Sequence, residues 1–358
     1  MPGRGRGVRR KARNPTTAKR QCIDLPEAPE SDENTAQQVQ GLSSRSRTRT
    51  MSGPNPSVEC LQSRAKQLLN ASLSANTLGT YRTALVTFQD FCSVYKLKLQ
   101  WPITQNQVIL FISFCFEKGL SPNTISTYVA GITYYNKLNE GSDFGEVFII
   151  RKLLEGCRRS RKRRDLRAPV TLKILTEICS LLPIICYDVF ESKLFKAMFV
   201  LAYFGMFRVS ELVVTNQLEL NRPVQYQDVT FQSDNTQLTI VLRMSKTNHS
   251  NAPTTIRIKC ENNDKLCPVC ALNDYIVVRP KIIGPLFIHA NMKPVTRCQF
   301  SGVLSKCLCS SSFASEKIRS HSFRIGRATQ LATMGIPTDA IMKLGRWHSG
   351  AYRRYIRL

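Results

Sequence analysis

Only one stretch of the sequence, residues 228–260, carries a clear strand pattern, and this favours a mainly helical chain with one small sheet. The runs DVTFQ, QLTIVLRMSK and TTIRIKC within it are rich in β-branched residues. The second and third runs flank the sequence KTNHSNAP, which is rich in turn-forming residues. The pattern therefore predicts a small antiparallel sheet that contains a hairpin.

Residues 57–157 have helical periodicity and predict a small all-helical domain. Lys118-Gly119 is typical of a helix end, and Ser121-Pro122 is typical of a helix start. We expect the aromatic residues on its three apolar stripes in the core. The three stripes are Tyr81, Leu85, Phe88, Cys92 and Tyr95; Val108, Phe111, Ile112 and Cys115; and Ile125, Tyr128, Val129, Ile132 and Tyr135.

Because 358 residues are too many for one ordinary core, we predict a second domain. It is expected to begin at residue 170, directly after the basic residues 158–169. Helices are expected from about Thr171 to Asn216 and, after the sheet, over Pro268 to Val278. Further helices are expected at about 295–309 and 321–334, and a short helix capped by Thr338 leads to Leu344.

The charge of the chain indicates a polyanionic partner. It has 51 basic and 25 acidic residues, which corresponds to a formal net charge of +26, and nucleic acid is the polyanion that we expect. Residues 1–56 alternate basic and acidic clusters and are predicted to be disordered. Residues 158–169, RRSRKRRDLRAP, form a basic linker. It either follows a DNA backbone or is a solvated linker or an import signal.

Thirteen cysteines lie scattered through apolar segments, which favours free thiols in a reducing compartment. Cys260, Cys267 and Cys270 have a spacing that suits zinc, but a structural site needs four ligands. The fourth is not evident unless His249 folds back, so we predict buried thiols at a helix start and no metal. No segment without charges reaches the length of a membrane span.

Two weak signals for phosphate chemistry precede the end of the chain. Arg208 follows a glycine and precedes a short helix, where a guanidinium can join the free amides in binding a phosphate, and Glu211 can orient it. Lys246 lies at the mouth of the predicted hairpin, from which a lysine can deliver a proton to a leaving oxygen. By itself, each pattern is more often a surface salt bridge or a solvated lysine.

The last forty residues contain the strongest signal. His321 and Arg324 are spaced to share one face of a helix, which places a proton-transfer group beside a phosphate-binding fork. Trp347 and His348 follow as possible hydrogen-bond donors, although Trp347 also suits a core. Tyr352 and Tyr355 are candidate nucleophiles, and only one of them is expected to face a phosphorus atom.

The joint order of these motifs closely resembles the tyrosine recombinases, the phage-integrase family. The order is Arg-x-x-Glu-Leu, a hairpin lysine, His-x-x-Arg, Gly-Arg-Trp and Tyr-Ile-Arg, and the resemblance covers roughly residues 57–358. The segment LGRWHSGAYRRYIR looks most like recombinases of DIRS-like and Crypton-like eukaryotic mobile elements. The resemblance implies the DNA breaking-rejoining fold, with a helical, SAM-like core-binding domain at 57–157 and a catalytic domain at 170–358.

The resemblance also implies the roles of the candidate residues. Tyr355 would attack phosphorus to form a 3′-phosphotyrosine. Arg208 and Arg324 would bind the non-bridging oxygens, and Lys246 would protonate the leaving 5′ oxygen. His321 would act as general acid or base, and Trp347 would support the phosphate. No metal and no other cofactor is needed, since cationic side chains supply the charge.

Two departures from the family pattern leave alternatives open. The spacing from Trp347 to Tyr355 is one residue shorter than usual, so His348 and Tyr352 stay candidates. The sequence ends three residues after Tyr355, where many relatives have a helix that docks on a neighbouring protomer, so the mode of assembly is open.

The function expected from the resemblance is site-specific recombination or integration of double-stranded DNA for a mobile element, in the nucleus, by a homo-dimer or tetramer that contacts no membrane. The alternatives are a domesticated DNA-binding protein without catalysis and an enzyme like the type IB topoisomerases. The full set of candidate residues argues against a pure binder, and relaxation without strand exchange would identify a topoisomerase.

Overall fold

The computed structural model of the chain describes residues 55–162, 165–215, 220–244, 252–261 and 265–357. Residues 1–54 of the tail that was predicted to be disordered lie outside these ranges, as do Lys246 and His249. Within them the chain is mainly helical with one three-stranded antiparallel sheet, which confirms the predicted fold class. In the described part of the chain, no helix is long and apolar enough to cross a bilayer.

Five helices make up the segment before the linker, and four of them share one apolar core. The starts and ends follow the local signals: Ser121 accepts the amide of Thr124 at the start of the fourth helix, and Gly119 has a φ of +78° after the third. Tyr95, expected in a stripe, is exposed because it follows the last turn of its helix. The helices are α1 Val58–Ala71, α2 Ala75–Val94, α3 Gln105–Glu117, α4 Pro122–Leu138 and α5 Phe148–Ser160.

Seven further helices are described after the linker, and all of them except the last surround, with the sheet, a second, larger apolar core. Helix α5 continues through Ser160, so it includes the first residues of the basic run 158–169. Thr338 is the first residue of the last helix and makes no capping bond, so its predicted capping role is wrong. The helices are α6 Leu172–Ile185, α7 Val189–Phe204, α8 Val209–Leu212, α9 Pro268–Val278, α10 Arg297–Cys309, α11 Ser322–Thr333 and α12 Thr338–Gly345.

The sheet consists of three antiparallel strands in sequence order, β1 Val229–Phe231, β2 Gln237–Leu242 and β3 Thr254–Lys259. Ile240 of β2 lies opposite Val229 of β1 and Ile256 of β3. Alternate residues of β2 and β3 are buried, so one face of the sheet packs on the core. The strands thus form the predicted small sheet.

A third, smaller apolar cluster positions the end of the chain. It joins Met206, Ala328, Leu331, Ile341 and Trp347, and therefore fixes α11 and α12 against the loop before α8. A 3₁₀ helix, Gly350–Tyr355, packs on this cluster. Helix α11 is also held from the other side, because a Cβ at Gly326 would overlap the carbonyl oxygen of Val170 at the end of the linker.

Candidate active site

Arg208 lies where the sequence predicted it, immediately before the short helix α8. The backbone N–H of Arg208 donates to Oε2 of Glu211 at 2.8 Å, and its Nη1 donates to Oε1 of the same carboxylate at 2.8 Å. The Glu211 side chain is only 4% exposed and that of Arg208 is 15% exposed. The Arg-x-x-Glu pair is therefore a buried ion pair, and Glu211 orients the guanidinium as predicted.

Glu211 also binds a second guanidinium from a distant part of the chain. Nη2 of Arg346 donates to Oε2 of Glu211 at 3.0 Å and to the carbonyl of Met206 at 2.9 Å. Burial by itself would raise the pKa of Glu211, but the charges of Arg346 and Arg208 outweigh it and lower that pKa. One buried carboxylate therefore joins two arginines that are 138 residues apart, from 208 to 346.

Arg324 lies at the centre of the cluster and is fully buried. Its Nη2 donates to the carbonyl of Gly345 at 2.8 Å, and its Nη1 donates to the carbonyl of Met206. Among the residues that the structure describes, none forms a hydrogen bond with its buried Nε. Burial, followed by the charges of Arg346 and Arg208, lowers the pKa of Arg324 to about 9. The site thus concentrates positive charge that an anion would stabilise.

His321 is the residue immediately before α11 and is partly buried. Burial, and then the positive charges of Arg167, Arg324, Arg297 and Arg208, lower the pKa of His321 to about 4. The imidazole is therefore neutral at physiological pH in the free protein and has a free lone pair. In this state the imidazole can accept a hydrogen bond through one ring nitrogen and donate one to a phosphate through the other. Its low pKa makes it a weak base until an anion offsets the neighbouring positive charges.

The rings of Trp347 and Tyr355 contact each other, and both lie close to the guanidinium of Arg324. The carbon Cζ of Arg324 lies 4.9 Å from the Trp347 ring centre and 5.5 Å from that of Tyr355. The two rings are themselves 4.9 Å apart at their centres. Trp347 is 8% exposed and leans over Gly345, where a Cβ would overlap the indole. Trp347 therefore contributes both to a core and to the wall of the site.

The alternative candidates are placed less centrally. His348 is exposed, and Tyr352 packs on the same apolar cluster as Tyr355. Because residues three apart eclipse in a 3₁₀ helix, both tyrosines lie on one side. Among the ring and cation contacts of the described residues, Tyr355 reaches Arg324, whereas Tyr352 interacts with the exposed Arg353.

Hydrogen bonds and an ion pair hold the segment that carries Tyr355 against α11 and the linker. The hydroxyl of Thr329 on α11 donates to the Tyr355 carbonyl at 3.3 Å and accepts the N–H of Arg357 at 3.0 Å. Asp165 in the linker accepts from the guanidiniums of Arg357 and Arg167, both at 2.7 Å. Hydrogen bonding by Arg167 contributes most to lowering the pKa of Asp165 to about 2, so the bridge is ionic at neutral pH.

A basic cleft of about 660 Å³ opens beside His321. It lies between the end of the linker, helix α10 and the loop before α11. Its lining includes the basic residues Arg167, Arg297, Lys317 and Arg319, with Glu316 as an acidic member. The side chains and volume suit a segment of nucleic-acid backbone rather than an apolar ligand.

The structure therefore brings together Arg208, Glu211, His321, Arg324, Trp347 and Tyr355, whereas Lys246 lies outside the described residues. Sequence reasoning missed the pairing of Arg346 with Glu211 and the bridge formed by Thr329. The prediction of buried thiols is wrong for Cys260 and Cys270, which are exposed, and right for Cys267. Cys260 follows the end of β3 and Cys270 lies in the first turn of α9, and solvent reaches both.

Comparisons with known proteins agree with the fold. The family model described as "Phage integrase family" matches residues 176–357. The structure of the Tn1549 transposon integrase in complex with circular intermediate DNA is 19% identical, with a TM-score of 0.54, and the match covers 83% of this chain and 94% of that one. No curated protein matches the chain.

Two further solved structures share the fold at low identity. The XerH site-specific recombinase bound to palindromic difH substrate is 15% identical with a TM-score of 0.56, over 84% of this chain and 82% of that one. A lambda integrase dimer bound to a COC′ core site is 12% identical with a TM-score of 0.54, over 84% and 77%.

Proposed function

The chain belongs to the phage integrase family of tyrosine recombinases, and we propose that it cuts and rejoins double-stranded DNA through a covalent bond to Tyr355. The observation that carries the proposal is the position of the Tyr355 ring beside the buried Arg324 guanidinium and the Trp347 ring. A phenol next to a cluster of arginines is suited to attack a phosphodiester that those arginines would bind, and this supports the proposal.

In the proposed step, the Tyr355 oxygen forms a bond to phosphorus while the bond to the 5′ oxygen breaks. The phenolic proton passes to a base that we assign to His321, because a bound phosphate would offset the arginine charges that lower its pKa. The departing 5′ oxygen takes a proton that we assign to Lys246. Arg208 and Arg324 offset the negative charge that develops on the non-bridging oxygens. A 5′-hydroxyl of a second strand then reverses the step, so joining needs no nucleotide cofactor.

The arrangement supports cleavage by the protomer that binds the phosphate. Thr329 and Asp165 hold the Tyr355 segment on the same chain that provides Arg208 and Arg324. We propose that a dimer or tetramer then holds two duplexes for strand exchange. The structurally similar lambda integrase is described as a dimer on its core site.

The biological setting is proposed from sequence and likeness together. The segment LGRWHSGAYRRYIR resembles recombinases of DIRS-like and Crypton-like mobile elements. The similar Tn1549 integrase is named for a transposon. A nuclear location follows from that proposal and is supported by the basic clusters of the tail. The helical segment 57–157 would serve as the core-binding domain.

A nicked suicide substrate tests the covalent step, because loss of the short 5′ strand traps the protein on the DNA. Tyr355→Phe is expected to abolish the adduct, whereas Tyr352→Phe is a matched control that removes the neighbouring phenol and is expected to retain it. The reverse pattern would refute the choice of nucleophile. Absence of any adduct in the unmodified protein would instead favour a DNA-binding protein, and relaxation without strand exchange would favour a topoisomerase.

A further inference from the structure

Three metal-ligating side chains converge outside the arginine cluster, at the junction of β3 and α9. Cys260 directly follows β3, Cys267 precedes the first residue of α9, and Cys270 lies in the first turn of that helix. In the described part of the chain, this is the one group of three or more such side chains whose ligand atoms lie within 4.8 Å of one another.

The spacing of the sulfur atoms suits a shared ion. Two thiolates on one tetrahedral zinc lie roughly 3.8 Å apart, because each zinc–sulfur bond is about 2.3 Å. Sγ of Cys260 and Sγ of Cys267 lie 3.1 Å apart, and no pair of the three is separated by more than 4.8 Å. These sulfur–sulfur distances are compatible with the ~3.8 Å separation of two thiolates on one zinc ion, and they exceed the ~2.05 Å of a disulfide bond.

The surroundings suit thiolate ligands as well. Cys260 and Cys270 are exposed, so an ion can enter from solvent, while Cys267 is buried and anchors the group. Sγ of Cys267 accepts the backbone N–H of Cys270 at 3.5 Å. This bond at the start of a helix favours negative charge on sulfur and orients the ligand. Soft thiolates select zinc over magnesium or calcium.

We propose that Cys260, Cys267 and Cys270 bind one zinc ion, with water in the fourth position. The ion joins the end of β3 to the start of α9, and its open fourth position distinguishes the site from a closed structural site with four protein ligands. Glu261, the next residue after Cys260, pairs with Arg327 of α11 at 3.3 Å. Through this contact the site supports the helix that carries Arg324. The proposal is independent of the cleavage chemistry, which uses other residues.

The direct test is the metal content of the full-length protein, purified under reducing conditions with zinc and then desalted. We expect one zinc per chain by mass spectrometry and less than one tenth of that in Cys267→Ser. Cys298→Ser is the matched control, because Cys298 is an exposed thiol outside the cluster. With cobalt in place of zinc, the thiolate charge-transfer absorption is expected in the control variant and not in Cys267→Ser.

A second measurement keeps the test valid if Cys267→Ser fails to fold. In the unmodified protein, zinc is expected to protect Cys260 and Cys270 from alkylation at least tenfold, while Cys298 and Cys309 react at unchanged rates. Zinc far below one per chain in the unmodified protein would overturn the proposal. Equal labelling of all four cysteines with and without zinc would do so too, as would a disulfide between Cys260 and Cys267. None of these readouts depends on DNA cleavage, so failure here leaves the proposed function untouched.

Discussion

Glu211→Gln is expected to destabilise the second half of the molecule severely. Glu211 is the carboxylate whose charge acts on the guanidiniums of Arg208, Arg346 and Arg324 together. The amide has the same size, so packing is kept, and its oxygen still accepts one hydrogen bond. It provides no charge, however, and its NH₂ group faces a guanidinium at one of the two positions that an oxygen occupies now.

The magnitude follows from the burial of the pair. Removing one partner of a buried ion pair costs about 3–5 kcal/mol, because the remaining charge is left uncompensated in a poorly solvated place. The Glu211 and Arg346 side chains are 4% and 7% exposed, so water cannot replace the lost carboxylate. Since whole domains are stable by only about 5–15 kcal/mol, the change would consume a large share of that stability.

Urea unfolding followed by tryptophan fluorescence measures this change in the relevant half alone. The chain has two tryptophans, Trp101 before α3 and Trp347 in the candidate site. Placing Glu211→Gln in a Trp101→Phe background makes Trp347 the reporter of the second core. The urea concentration at the unfolding midpoint is expected to fall by an amount that corresponds to about 3–5 kcal/mol. The dependence of the free energy of unfolding on urea concentration is expected to stay the same.

Arg243→Gln serves as the matched control in the same half of the molecule. Arg243 pairs with Asp228 at 2.6 Å on the surface beside the sheet, where the Arg243 side chain is 45% exposed. Exposed pairs contribute about 0–1 kcal/mol, so the unfolding midpoint of this variant is expected to change far less. If Glu211→Gln were as mild as Arg243→Gln, the guanidiniums would not depend on that carboxylate, and the account of the arginine cluster would be wrong.

Two other predictions concern α11. Thr329→Val removes the hydroxyl that binds the Tyr355 carbonyl and the Arg357 N–H. Because two hydrogen bonds are worth about 1–3 kcal/mol, this change is expected to slow single-turnover adduct formation roughly tenfold at unchanged DNA affinity. The control Thr333→Val, one turn further on, should have no effect, and an equal loss of DNA binding by Thr329→Val would contradict the reasoning. His321→Gln should remove part of the loss of stability below pH 6.5. The pKa of His321 falls from 6.5 to about 4 on folding, so the unfolded chain binds more protons than the folded chain between these pH values. The free energy of unfolding therefore rises with pH in that window, by at most ~3 kcal/mol. Identical pH profiles of stability for His321→Gln and the unmodified protein would refute this.

The sequence predicted the local structure well, for local reasons. Ser121 caps α4 through its own hydroxyl, and Gly119 adopts the left-handed conformation that ends α3, both as interactions between near neighbours. Buried and exposed residues alternate along β2 and β3 because only one face of the sheet packs on the core. Thr338 failed as a cap because Pro337 already occupies that position, so a suitable residue type was not sufficient.

The motifs also determined which side chains to expect at the site, because His-x-x-Arg and Arg-x-x-Glu are short-range patterns on helices. Their chemical state was decided by tertiary structure alone. Glu211 meets Arg346 across 135 positions, and Asp165 reaches Arg357 across 192 positions. No local pattern encodes such partners.

The same reason explains the cysteines and the nucleophile. Whether Cys260 joins Cys267 and Cys270 depends on how the end of β3 meets the start of α9, and a count of thiols cannot show it. The sequence favours Tyr355 over Tyr352 only through the Tyr-Ile-Arg motif of the family, whereas packing places the Tyr355 ring beside Arg324. Composition, caps and periodicity thus determined a basic, mainly helical protein with an ordered set of reactive residues. Long-range packing determined which charges are buried together, because burial and the distances between groups set their pKa values and their partners.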